Sequence, residues 1–295
     1  MRVGVVILPS VPWREAQPLW RRAEALGAHT AWTYDHLTWR ELRDGPWFSA
    51  LPLLGATAAT TSTVRLGTLV TSPNYRHPVT LAKEVMTLDD LSGGRFTLGI
   101  GAGGTGWDAT ALGQDPWPLA ERTSRFGEFV DHLDRLLREP VVERLDGRWY
   151  QAVDARAIPG CVQRPRVPFA IAGAGPRALA VAVRHASTWV TYGDPGRAAA
   201  MTPAECLETV RVQAARLDDA CEEAGRDPST VDRLYLQGIT GEPWLESLES
   251  FRDLAGRYAE LGFTDLALHW PRTEPPFVSD PDVFEEILAS GGAAV

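Results

Sequence analysis

The stretch Val64–Gly104, VRLGTLVTSPNYRHPVTLAKEVMTLDDLSGGRFTLGIGAGG, decides how this chain is read. Val64–Val70 is an apolar run that ends in a polar loop, Thr71-Ser72-Pro73-Asn74. Pro78 then stands at the first turn of a helix whose Leu81, Val85 and Leu88 share a face, and Gly93 closes it. A second apolar run, Arg95–Ile100, leads into Gly101-Ala102-Gly103-Gly104. Strand, helix and strand in this succession read as a parallel β-α-β unit. In parallel α/β proteins the carboxyl ends of strands are where ligands sit. Hydroxyls after one strand and glycines after the next serve no core. They predict a site for a flat, phosphate-bearing cofactor.

Outward from this unit the same pattern repeats. Strand-like runs fall at Val3–Leu8, Thr30–Tyr34, Val64–Val70, Arg95–Ile100, Pro168–Ala172, Thr188–Thr191, Leu234–Gly238 and Thr264–His269. Helical periodicity fills most intervals: Ala16, Leu19, Ala23 and Leu26 make one face, and Phe126, Val130, Leu133 and Leu137 another. Thr202-Pro203-Ala204-Glu205 has capping-box spacing ahead of Leu207, Val210, Ala214, Leu217 and Cys221. Trp244, Leu248, Phe251, Ala255 and Tyr258 form a last stripe, stopped by Gly262. Eight strands alternating with helices give an α/β fold, the (β/α)8 TIM barrel, as one domain over 1–295. The interval 140–167 is too long for a connection. Its Arg, Pro and Gly, with a hairpin around Asp146-Gly147, read as an insertion after the fourth helix near the barrel mouth.

Composition narrows the function classes. A chain of 295 residues, 44% hydrophobic and 23% charged, reads as a globular domain with a large core. Its net charge of -9 opposes general nucleic-acid binding. No apolar run approaches membrane-spanning length and MRVGVVILPS lacks a signal-peptide pattern, so the expected location is cytoplasmic. Cys161, Cys206 and Cys221 form neither a disulfide framework nor a zinc spacing, and no other metal constellation is visible. No serine nucleophile elbow or carboxylate pair emerges either. That pattern fits chemistry done by a bound cofactor, with the protein supplying position and electrostatics.

Several residues are placed to carry such chemistry. Asp35-His36 closes the second strand and faces the mouth; His36 is the candidate for proton transfer, and Asp35 for orienting it or holding a cofactor hydroxyl. A hydrogen-bonded structural histidine is the plain alternative. Gly99–Gly104 matches G-x-G-x-x-G, but it comes at the fourth strand and Thr105–Asp108 continues as loop, which favours a barrel loop over a Rossmann site. Gly173-Ala174-Gly175-Pro176-Arg177 precedes a helix, where free backbone N–H groups and Arg177 would cradle a phosphate, unless the segment is only a turn. Arg76-His77-Pro78 precedes the third helix, with His77 either capping it or touching ligand. His269 and Trp270 end the last strand and, with Trp39 and Trp107, are candidates to wall a small-molecule substrate; for Trp270, core packing is the alternative.

With these residues assembled, the chain resembles the luciferase-like monooxygenase superfamily over nearly its whole length. The strongest stretch is LGTLVTSPNYRHPVTLAKEVMTLDDLSGGRFTLGIGAGG, joined by TYDHL, IAGAGPRALAVAVRHASTWV and LGFTDLALHWPR. The resemblance implies a TIM barrel with an insertion, a cofactor at the carboxyl end and a homodimer. It implies that Asp35 and His36 face an isoalloxazine-like ring, that Leu69–Val70 forms a non-prolyl cis peptide backing it, and that Thr71 and Ser72 touch it. Gly101, Ala102 and Gly103 would pass close by, and Gly173, Ala174, Gly175, Pro176 and Arg177 would hold the phosphate. Many relatives place Glu or Asn after the glycines; Trp107-Asp108 occupies that region here. VTSPNYRHP and YDH are similar to deazaflavin-dependent members, so coenzyme F420 is the expected cofactor, with FMN, supplied by a separate reductase, as the alternative. A non-catalytic flavin-binding barrel is the rival from another class.

Overall fold

Hydrophobic alternation builds two concentric layers. In the computed structural model, which describes residues 1–104, 106–194 and 196–291, eight parallel strands close into a barrel. In chain order the strands are β1 (Arg2–Val6), β2 (Thr30–Thr33), β3 (Arg65–Thr68), β4 (Phe96–Gly101), β5 (Val141–Asp146), β6 (Gln151–Arg156), β7 (Phe169–Ala172), β8 (Thr188–Thr191), β9 (Asp232–Leu236) and β10 (Asp265–His269). The barrel runs β1-β10-β9-β8-β7-β4-β3-β2, and β5 and β6 form an antiparallel hairpin outside it. Each expected barrel strand is present, so the fold is the (β/α)8 TIM barrel, and the Rossmann alternative falls.

The helices are α1 (Trp13–Ala25), α2 (Ala50–Ala58), α3 (Pro78–Leu91), α4 (Trp107–Ala111), α5 (Leu119–Arg138), α6 (Pro176–His185), α7 (Pro203–Glu223), α8 (Leu248–Glu260) and α9 (Pro281–Ala289). Along β10, Leu266 and Leu268 pack outward against helices, whereas Ala267 joins the inner cluster with Val6, Trp32, Leu69 and Val190. Period-two alternation of the strand does this sorting. Each aliphatic side chain so buried contributes about 1.5–3 kcal/mol before entropy is counted.

Local signals set the helix ends. His77 accepts from the Val79 N–H at 3.2 Å, which gives it the capping role ahead of Pro78. Thr202 and Glu205 make the expected capping box. The last stripe is shorter than expected: Ser247 caps α8, so Trp244 lies before the helix, fully buried. In α1 the buried face is Ala16, Trp20 and Ala23, while Leu19 and Leu26 sit at its margin. Residues 106–108, expected as loop, enter α4 at Trp107 with Gly106 as N-cap. A helix this short is below the length at which periodicity can be read.

Within 140–167, the hairpin turn is tied to α5 through Glu128, whose carboxylate accepts from the Arg148, Trp149 and Tyr150 N–H groups at 2.7–3.0 Å. Tyr150 then donates to the Pro73 carbonyl at 3.4 Å, in the loop after β3. Beyond β6 the chain runs on to Gln163, which donates to Asp89 at the far end of α3. The segment therefore clasps the α3–α5 flank, and only its turn reaches the mouth.

Candidate active site

Strand register sets the site's layout. Thr33 pairs with Thr68, which puts Tyr34-Asp35-His36 beside Leu69–Ser72. Thr71 bridges Ile100, and Gly101 pairs with Ala172, which puts the glycine loop beside Gly173. Four neighbouring strands, β2, β3, β4 and β7, thus bring Asp35, His36 and the candidate cofactor residues to one arc of the carboxyl rim.

The Leu69–Val70 peptide is cis. Beyond it the chain rejoins β4: the Thr71 N–H donates to the Gly99 carbonyl at 2.8 Å, and the Gly101 N–H to the Thr71 carbonyl at 2.9 Å. The Thr71 and Ser72 hydroxyls are buried and have no hydrogen-bond partner among the described residues. Unpaired buried hydroxyls cost about 1–3 kcal/mol each, a cost that a bound polar group would offset. Gly103 has φ +78, and a Cβ there would lie 2.5 Å from the Asn74 amide. Asn74 donates to the Gly104 carbonyl at 3.0 Å and Arg122 to the Gly103 carbonyl at 2.6 Å, so the glycine loop is clamped from both sides. Ala102 and Gly103 are half-buried. Gly173 has φ +153, and its Cβ would meet the Ala178 methyl at 2.5 Å. Glycine is required there for α6 to start against the strand end. Gly175 caps that helix, and Gly175, Pro176 and Arg177 are exposed; Ala174 is half-buried. Among the described residues the Arg177 guanidinium reaches only the Ala120 carbonyl, at 3.4 Å. Beside it a groove of about 450 Å³ is lined by Ala120, Glu121, Ser124, Arg148, Trp149 and Arg177, so two cations and one carboxylate face it. Unpaired hydroxyls, exposed backbone and a helix N-terminus with a lightly engaged arginine fit a flavin-like ring carrying a phosphate.

Asp35 does not orient His36. It is buried and takes a two-pronged ion pair from Arg76, at 2.7 and 3.1 Å. Burial alone would lower the Arg76 pKa, but the Asp35 charge raises it above its ordinary value. The partner of His36 is Asp108, from the first turn of α4: Nδ1 to Oδ2 is 2.6 Å, while Asp108 Oδ1 accepts from the Leu37 N–H at 2.8 Å. Trp47 adds a bond from its indole N–H to the His36 carbonyl at 2.9 Å. Sequence reading gave Arg76 and Asp108 no role in the site. For Arg76 and Asp108 the available signal was a charge directly beside each proposed ligand loop.

The substrate-side candidates separate. Trp39 is buried against Tyr34 and stacks with Trp47 and Phe277. Trp107 lies at the surface under the Arg43 guanidinium. His269 is inside the barrel, 2.8 Å from the Tyr34 hydroxyl and stacked on Phe277 with ring centroids 3.5 Å apart. Trp270 does not wall the mouth. One residue further along the strand, alternation turns it outward onto Phe284 of α9, at 5.2 Å between centroids. A separate groove of about 740 Å³, containing Arg2, His29 and Asp232, lies at the opposite, amino-terminal rim.

Burial pushes the His269 pKa down to about 3 and raises that of Tyr34 well above the usual phenol value. His269 is therefore neutral in the fold but protonates near pH 6.5 once unfolded. The unfolded chain binds the extra proton, so stability is lost as pH falls from about 6.5 towards 3, with a slope approaching ~1.4 kcal/mol per pH unit from this group. Urea midpoints at pH 6.5 and 4.5 should drop less for His269→Phe than for the parent. Equal drops would show that the imidazole is not held neutral.

Among the described residues no helix is long and apolar enough to cross a membrane, and no cluster of histidine, cysteine and carboxylate groups is poised for a metal. The family model for luciferase-like monooxygenases matches residues 1–240. A 4-hydroxyprotoasukamycin monooxygenase of Streptomyces nodosus subsp. asukaensis is 35% identical over 73% of this chain; the match spans 56% of that enzyme's length. An F420-dependent glucose-6-phosphate dehydrogenase of Beutenbergia cavernae is 31% identical, covering 85% of this chain and 86% of its own. In fold, the F420-dependent tetrahydromethanopterin reductase of Methanopyrus kandleri superposes with a TM-score of 0.75, at 18% identity, over 99% of this chain and 97% of that one. A monooxygenase from Streptomyces bottropensis reaches 0.77 at 22% identity, over 99% and 98%. The chain belongs to the luciferase-like monooxygenase family and is an oxidoreductase.

Proposed function

We propose that the protein is an F420-dependent oxidoreductase that transfers hydride between the deazaflavin and a carbon of a planar, apolar substrate. The observation that carries this is the arc of four adjacent strand ends, which gathers His36, the unpaired Thr71 and Ser72 hydroxyls, the glycine loop and the start of α6. F420-dependent relatives such as those of Beutenbergia cavernae and Microbacterium testaceum support the choice of coenzyme. When bound, the deazaflavin supplies the hydride acceptor or donor. Leu69 and Val70 would lie against its ring, Thr71 and Ser72 would bond its polar edge, and Gly101, Ala102 and Gly103 would leave room for backbone approach. Gly173–Arg177 would hold the phosphate. Asp35 locks Arg76 and the end of β2, while His36 gives or takes the substrate proton. Trp39, Tyr34, His269 and Phe277 pack on one another into an aromatic wall beside this arc, which favours an apolar, planar substrate. Trp107 would flank the entrance.

The Streptomyces nodosus relative favours a second reading, an FMN-dependent monooxygenase fed reduced flavin by a separate reductase. Titration with F420 and FMN, in both redox states, separates the two by quenching of tryptophan fluorescence. F420 is expected to bind more tightly; preference for FMN would overturn the first reading, and no binding by either would overturn both. In the same titration Arg177→Ala should weaken the preferred coenzyme by about 10- to 100-fold, the loss of one charge-assisted phosphate contact. Unchanged affinity would remove Arg177 from the phosphate site.

A further inference from the structure

Asp108 holds the His36 segment at two points, and the pairing leaves it little choice of hydrogen-bond roles. Its Oδ1 must accept, because the Leu37 N–H is a donor only. Its Oδ2 lies 2.6 Å from His36 Nδ1. The Asp108 side chain is 6% exposed and that of His36 24%, so the carboxylate is enclosed while the imidazole still reaches the rim. Among the described residues this is the only side-chain hydrogen bond the ring makes. A carboxylate accepts and cannot donate, so Nδ1 carries the hydrogen and Nε2 is left with the lone pair.

We infer that Asp108 is the positioning residue of the site: it fixes His36 as the Nδ1–H tautomer, so that Nε2 is the atom that handles the substrate proton. This rests on the reading of His36 as the proton-transfer group. The proton leaving a substrate X–H group lodges on Nε2 to give an imidazolium, and Nδ1–H remains bonded to Asp108; in the reverse direction Nε2 returns it. Asp35, the neighbouring carboxylate that the sequence favours, takes no part in this because Arg76 holds both of its oxygens.

Asp108→Asn makes a sharp test. The Leu37 N–H still demands the amide oxygen, so the amide NH2 must face Nδ1, which then has to accept. The hydrogen is thereby moved to Nε2 and the base is lost. The measurement is 15N NMR of coenzyme-free, histidine-labelled protein at a pH where imidazoles are neutral, with His36 assigned by its absence from His36→Gln. The parent should be predominantly Nδ1–H and Asp108→Asn predominantly Nε2–H. A parent that is mostly Nε2–H, or a variant still mostly Nδ1–H, overturns the inference. Should Asp108→Asn fail to fold, the parent tautomer decides by itself. With the loaded enzyme, kcat should fall at least about tenfold in Asp108→Asn with KM within about twofold, and Asp108→Glu should recover part of it. An unchanged kcat also overturns the role. Failure of F420 and FMN to bind would instead sink the cofactor reading, and the tautomer result would stand apart from it.

Discussion

Replacing His36 by alanine is expected to lower turnover by about 10²- to 10⁴-fold, the usual contribution of a positioned acid–base group, while coenzyme affinity stays within about twofold. The imidazole is partly exposed at the rim and is held by a buried carboxylate. Truncation removes it without disturbing the Thr71, Ser72 or Gly173–Arg177 regions, which come from other strands. Single-turnover absorbance of the coenzyme with planar, apolar substrates measures the chemical step, and fluorescence titration measures binding. Parent-like turnover would take His36 out of the mechanism. A matching collapse of coenzyme affinity would make it a binding residue instead.

Glu242→Ala should cost about 3–5 kcal/mol of stability, read from guanidinium unfolding midpoints. The Glu242 carboxylate is buried and accepts from the hydroxyls of Tyr235 at 2.7 Å, Tyr258 at 2.8 Å and Thr240 at 3.1 Å, and from the Trp244 indole N–H at 3.2 Å. Burial, joined by this neighbouring negative charge, pushes both phenols well above their ordinary range, so they remain donors. Alanine strands these donors inside an aromatic cluster and leaves a void. Glu242→Gln keeps the volume and one acceptor oxygen, and should lose less. A loss below about 1 kcal/mol for the alanine variant would mean that water replaces the carboxylate.

Long, regular features were legible before any coordinates. Eight strands declared themselves by apolar runs, and the Thr202 capping box, a contact within four residues, formed as its spacing requires. The glycine loop and the start of α6 were legible for the same reason, since Gly103 has a positive φ of its own and Gly173 meets Ala178 only five residues on. The partners of the polar side chains were not. Asp35 and Arg76 are 41 positions apart and His36 and Asp108 are 72 apart, so no local pattern links them. Trp270 shows the same limit on a smaller scale: the sequence marks a strand end, but only closure of the barrel fixes which side of it faces helix and which faces ligand.

By itself, then, the sequence determined the alternation of strands and helices, the arc of polar and glycine-rich strand ends and the family to which they belong. Tertiary structure decided which carboxylate serves His36 and which serves Arg76. Periodicity and capping are written in neighbouring residues, whereas a charge chooses its partner only after the barrel has closed and water has been excluded from between them.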